Sequence, residues 1–259
     1  MGSHIESLIK KHGLEHVKDD ILDGVFSCIA VKPERAEHLP LGASKMGGVP
    51  DLPQGEDYPM YKGKPLHFIG QFNLKEIAEL NIKTEIPKEG MLYFFYYDDW
   101  EDEEIEGVWG EKEQKDGWRV IYYNGDNSAL EPRDQGIHTY PQCKINFEVV
   151  DRLPFMDFDD DDDFDRYDEL SSDLLPNEGT IHQIEGYPHA VQGEVFEECG
   201  GYAEKSENEE DWTLLFQVDS DEENLEMMWG DVGMLYFCIL TEDLKNRRFE
   251  EAWCVMQCH

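Results

Sequence analysis

Between residues 219 and 231 the chain sets Asp219, Asp221 and Asp231 around Trp229, in the run "DSDEENLEMMWGD". Carboxylates converging on one point would offer the several oxygen ligands that a hard cation such as calcium prefers, and the indole would wall a shallow site. The competing reading is structural. Asp219 or Ser220 ahead of "DEENLEMM" is a good helix N-cap, with Glu223 placed for a capping box, and that signature takes precedence over the cation site.

Gln71 and Gln217, late in two apolar runs, join Trp229 as candidate ligand-binding side chains. His67, His182 and His189 have the residue type for acid–base work, although His67 sits in a run that reads as a buried strand. The chain has no Gly-x-Ser-x-Gly elbow, Walker loop, His-Glu-x-x-His or Cys-x-x-Cys. No catalytic residue is therefore assigned, no cofactor is expected, and the balance leans away from an enzyme. "SKMGG" at residues 44–48 would hold an anion only if its amides converge.

Seven aspartates fall within residues 157–165. Read as an EF-hand from Asp157, the run has acids at loop positions 1, 3 and 5, but Asp162 stands where glycine is required and Asp168 at position 12. It is not an EF-hand. Such dense like charge predicts an exposed loop or linker over about 157–170. Of the six cysteines, Cys254 and Cys258 alternate along "WCVMQC", which favours buried strand thiols over a metal pair.

The chain has 259 residues, with 22 basic against 59 acidic side chains, formally −37. That field repels nucleic acid and anionic lipid, whose phosphates must meet Lys or Arg, and it favours a basic protein partner or a cation. A 40% hydrophobic content fits a globular protein. No apolar run approaches the roughly 20 residues that span a bilayer. With no signal peptide evident and no need for disulfide staples, the expectation is a cytoplasmic protein with reduced thiols.

The elements that must position these residues are mostly strands. Apolar spacing over 5–22 predicts one helix or two short ones, and "VFSCIAVKP" a strand. Residues 41–59 are too rich in Gly and Pro for helix. "PLHFIGQFNL" reads as a buried strand, with Asn73 capping a short helix. "GMLYFFYY", "GVWGEK", "GWRVIYYN" and "KINFEVV" read as further strands.

Three landmarks then return in order. "GVPDLPQGE" at 48–56 is answered by "GYPHAVQGE" at 186–194, "LHFIGQFNL" at 66–74 by "WTLLFQVDS" at 212–220, and "GMLYF" at 90–94 by "GMLYF" at 233–237. Gln71 aligns with Gln217, and Asp51 with His189. Ordered matches at offsets of 138, 146 and 143 residues predict an internal duplication, with repeat one over about 41–100 and repeat two over about 180–240. The predicted fold is α+β, predominantly antiparallel β: two β-rich units packed as one pseudo-two-fold body in a single domain over 5–259, preceded by an N-terminal helical segment.

The combination of "SKMGGVPDLPQG", "PLHFIGQFNLKEI", "GMLYFFY" and "LLFQVDSDEE…MWGDVGMLYF…WCVMQC" resembles the YwqG-like family, a bacterial group of domains of unknown function, from about Ser44 onward. The resemblance implies a β-rich α+β fold and no established activity. Two functional readings remain. The leading one is a non-catalytic acidic module docking a basic partner, as immunity-type proteins do; the other is a cation- or small-ligand-binding protein, or enzyme, built on the second repeat's carboxylates and Trp229.

Overall fold

The computed structural model describes residues 2–98, 105–156, 158, 160–175 and 180–259. Helices α1 (Gly2–His12) and α2 (Lys18–Gly24) come first, matching the apolar spacing over 5–22. The strands follow as β1 (Phe26–Arg35), β2 (Lys45–Met46), β3 (Asp51–Pro53), β4 (Met60–Tyr61), β5 (Lys64–Pro65), β6 (His67–Asn73), β7 (Met91–Tyr96), β8 (Trp118–Tyr123), β9 (Leu130–Pro132) and β10 (Cys143–Arg152). Beyond these lie β11 (Gln183–Ile184), β12 (Trp212–Asp219), β13 (Met234–Leu240) and β14 (Trp253–Gln257). Asn73 caps the short helix α3 (Leu74–Ala78), its side chain accepting from the Lys75 amide.

Ten strands form one sheet in the order β14-β13-β12-β11-β1-β10-β2-β6-β7-β8, with every pairing antiparallel. The fold is α+β, as its residue types predict. At the centre, β1 and β10 pair over their full lengths, from Phe26 opposite Arg152 to Arg35 opposite Cys143. Outward from that pair the same succession appears on both sides: a two-residue strand, a strand ending the buried apolar run, a Met-Leu-Tyr-Phe strand, and a terminal strand.

The sheet curls until its arms meet, which explains why β7 and β13 are buried along nearly their whole length. Phe94 of β7 packs against Phe216 and Phe237 of the opposite arm at ring-centroid distances of 5.1 and 5.2 Å, and Phe72 lies 4.7 Å from Phe216. At the far ends, Trp118 of β8 meets Trp253 of β14 edge-on at 5.1 Å. The Trp118 Nε1–H donates to Ala252 O, and the Trp253 Nε1–H to Gly110 O. The sheet is nearly a barrel, and aromatic rings fill the space it encloses.

Two expected features take other forms. "GVWGEK" is not a strand: residues 107–110 run as an irregular segment between the sheet's ends, held by Gln114 Oε1, which accepts from the Trp109 amide, and by Trp109 O, which accepts from the Met256 amide. The acidic run, expected as an exposed loop or linker, instead starts helix α4 (Asp161–Leu174). Asp160 caps it by accepting from the Asp162 and Asp163 amides, and acids in a first turn are favoured by the helix dipole. Tyr167 and Leu170 then bury one face of α4 against Ile5, Leu8 and Ile9 of α1, forming a satellite core. Residues 157 and 159, part of the predicted linker, lie outside the described residues.

Candidate functional site

Gln71 and Gln217 are fully buried pegs with the same contacts in each arm. Gln71 Oε1 accepts from the Asp51 amide at 2.8 Å while its Nε2 donates to Ala43 O and Asp51 Oδ2. Gln217 Oε1 accepts from the His189 amide at 2.7 Å while its Nε2 donates to Ile181 O. Tyr93 and Tyr236 complete the pattern by donating to Asp51 O and His189 O, each at 2.7 Å. Even the register shifts coincide, between Phe68 and Gly70 in β6 and between Leu214 and Phe216 in β12. The amides of both glutamines are committed to pinning a turn-rich segment onto the sheet.

The segment around Trp229 is built inward. Trp229 is fully buried, its Nε1–H donating to Asp219 O at 3.2 Å and its amide to Ser220 Oγ at 3.0 Å. It therefore forms no wall of an open site. Asp219 Oδ2 accepts from the Ile181 amide at 2.7 Å, and Asp221 Oδ1 from the Asn224 amide at 2.8 Å. The helix expected over "DEENLEMM" does not form: Asp221 and Met227 bridge to each other, closing a tight turn. Asp231 is exposed, and its carbonyl accepts from the His259 amide. Among the described residues no group of three or more His, Cys, Asp or Glu side chains stands together as a metal cage.

His182 is buried, and its Nδ1 accepts from the Asp219 amide, so a neutral ring carries its proton on Nε2, 3.5 Å from Asp221 Oδ2. Burial pushes the Asp221 carboxyl up, but His182 and Asn224 outweigh it and hold the group below its ordinary value. His67 accepts the Asp98 amide on Nδ1. The 44–48 segment is no anion nest, since the Gly47 and Gly48 amides donate to Ile69 O and Tyr140 O. Lys45 there forms a buried ion pair with Asp51 at 3.1 Å.

An arrangement with unused hydrogen-bonding capacity lies at Arg152. This side chain ends β10, is 7% exposed, and lines a cavity of about 280 Å³ between the sheet, α4 and residues 187–190. Its Nη1 is buried without a hydrogen-bond partner among the described residues. Burial lowers its pKa from the ordinary value, with Cys28 and Asp219 opposing. Gln183, fully buried on the same cavity, donates through Nε2 to Glu185 O and Tyr187 O, leaving Oε1 without a partner among the described residues. His189 also lines it, its imidazole pKa lowered by burial and by Arg152. Phe155, 68% exposed, and Tyr187 stand at its rim. On its other side Arg152 borders a second cavity of about 470 Å³ that includes His182.

The family model covers residues 44–258, described as Domain of unknown function (DUF1963). The chain belongs to that family. The DUF1963 match takes in Arg152, Gln183 and His189 but begins after β1, so Phe26, which faces Arg152 across the central strand pair, lies outside it. A search of curated proteins gave no match. Sequence reasoning passed over Arg152 because nothing in "FEVVDR" marks an arginine at the end of a strand as buried. The available signal was the alignment of the halves, in which Lys45 and Asp51 become Gln183 and His189.

Proposed function

We propose that this DUF1963 chain is a non-catalytic interaction module whose acidic surface docks a basic protein partner, in the manner of immunity-type proteins. The observation that carries the proposal is one face of α4. Asp161, Asp162, Asp165, Asp168 and Glu169 are exposed there beside Phe164, Phe155 and Tyr187. Carboxylates steer a basic partner, and aromatic side chains give it desolvated contact area. In this reading the two arms descend from one duplicated unit, the chain is a YwqG-like member of its family, and the six free thiols fit a reducing cytoplasm.

Affinity capture from host lysate at low and raised salt tests the reading, using the native chain and an Asp161→Asn/Asp162→Asn/Asp165→Asn variant. A stoichiometric basic protein, eluted by salt and lost with the variant, is the expected result. Capture that is indifferent to both salt and the substitutions would remove the physical basis of the proposal.

A further inference from the structure

We infer that the cavity at Arg152 binds a small aromatic carboxylate, whose carboxylate pairs with the Arg152 guanidinium while a ring hydroxyl or amino group donates to Gln183 Oε1. A buried charge without a partner is costly, and folded proteins pair such charges or bring a ligand to them. Here two side chains more than nine-tenths buried line the same cavity, and each holds one atom, the donor Nη1 of Arg152 and the acceptor Oε1 of Gln183, without a hydrogen-bond partner among the described residues. The complement of that pair is a molecule carrying an acceptor anion and a neutral donor.

The other arm shows what an internally completed version looks like. Its buried cation Lys45 is answered by Asp51, and Asp51 further accepts from the Gly42 amide and Gln71. The corresponding position of the second arm is His189, whose lowered pKa favours the neutral ring. The carboxylate that the first arm carries in its own chain is thus left to be supplied from outside in the second. The cation differs in position, since Lys45 corresponds to Gln183 and Arg152 reaches in from β10.

The surroundings narrow the anion. Phe26, Phe164, Tyr187 and Leu174 line the cavity and suit a flat ring, and about 280 Å³ accommodates a single-ring acid. One guanidinium balances one negative charge. Asp168 also lines the cavity, Asp219 acts on Arg152 from nearby, and the chain carries −37 overall, so a second ligand charge is opposed. A monocarboxylate is therefore favoured over phosphate or a nucleotide.

The test is calorimetric titration of the full chain with 4-hydroxybenzoate, benzoate, phenol and inorganic phosphate, paired with thermal melts. Saturable binding is expected for 4-hydroxybenzoate, weaker binding for benzoate, and none for phenol or phosphate. Arg152→Met should abolish it. Arg152→Lys, which keeps the charge but loses the planar fork, should weaken it by about tenfold or more. Gln183→Leu should remove the advantage of hydroxybenzoate over benzoate. Affinity should hold or rise with added salt, because screening relieves the repulsion of the acidic chain; docking of a basic partner weakens with salt, so the two proposals fail separately. No saturable binding of either acid, or binding undiminished in both Arg152 variants, would overturn the assignment.

Discussion

The two arms of the sheet share pegs, bulges and strand order, yet they resolve a buried cation differently. In the first, Lys45 and Asp51 form an ion pair beneath the turn-rich segment, with Gln71 bonded to the same carboxylate. In the second, Gln217 and Tyr236 hold the equivalent backbone in place, but His189 stands at the carboxylate's position and, among the described residues, Arg152 Nη1 has no hydrogen-bond partner. The repeated contacts identify what the fold requires; the departures identify where it leaves chemistry unspent. A site sought among the repeated residues, as Gln71 and Gln217 invite, leads to scaffold.

The sharpest way to break the comparison is to remove the internal answer in the first arm. Asp51→Asn leaves Lys45 buried beside a neutral group and should cost about 3–5 kcal/mol in urea unfolding. His189→Asn, at the matching position, should cost far less. If both cost the same, the arms do not differ as described. Next in size are the pegs. Gln71→Leu and Gln217→Leu each orphan a buried amide and a buried carbonyl, at about 1–3 kcal/mol per group. Similar losses would confirm the shared role, whereas a loss in one arm alone would restrict it to that arm.

A further contrast lies one step along the chain. Gly47 and Glu185 occupy matching places with left-handed φ of 63° and 64°. Burial, opposed by the hydrogen bond from Thr84, pushes the Glu185 carboxyl up to about 7. A folded-state pKa above the unfolded value means that the folded state holds the proton more tightly. The resulting stability is complete below about pH 4.5 and falls as pH rises toward 7. Glu185→Gln should flatten that decline, an effect on the order of 1–3 kcal/mol by pH-dependent denaturation. The smallest effect concerns the acidic helix. Asp160→Ala removes its N-cap and should cost about 1 kcal/mol, read in the unfolding midpoint.

Much of this architecture is legible in the residues themselves. Gly-Met-Leu-Tyr-Phe written twice marks two strands in corresponding places, and Asn73 is the cap its type and position predict. Local chemistry that competes with a simple pattern was harder to read. At residues 160–163 repulsion between aspartates is visible in sequence, but the capping geometry and helix dipole that outweigh it depend on the helix already existing. At Ser220 and Glu223 the capping-box pattern is real, yet Asp221 bridges to Met227 in a turn and Ser220 Oγ accepts from the Trp229 amide instead. Arg152 is the clearest case. Its burial arises from β10 pairing with β1 and from α4 closing over the strand end, contacts that no local spacing encodes.

The central claim, that Arg152 is a buried cation built for a partner outside its own chain, is tested most directly by the ligand-free stability of Arg152→Met in equilibrium urea unfolding. Burial costs this guanidinium more than the attraction of Asp219 returns, so the variant should be as stable as the native chain, or more stable by about 1–4 kcal/mol. A loss of about 3 kcal/mol or more, of the size expected for Asp51→Asn, would mean that the fold depends on that guanidinium and would contradict the account.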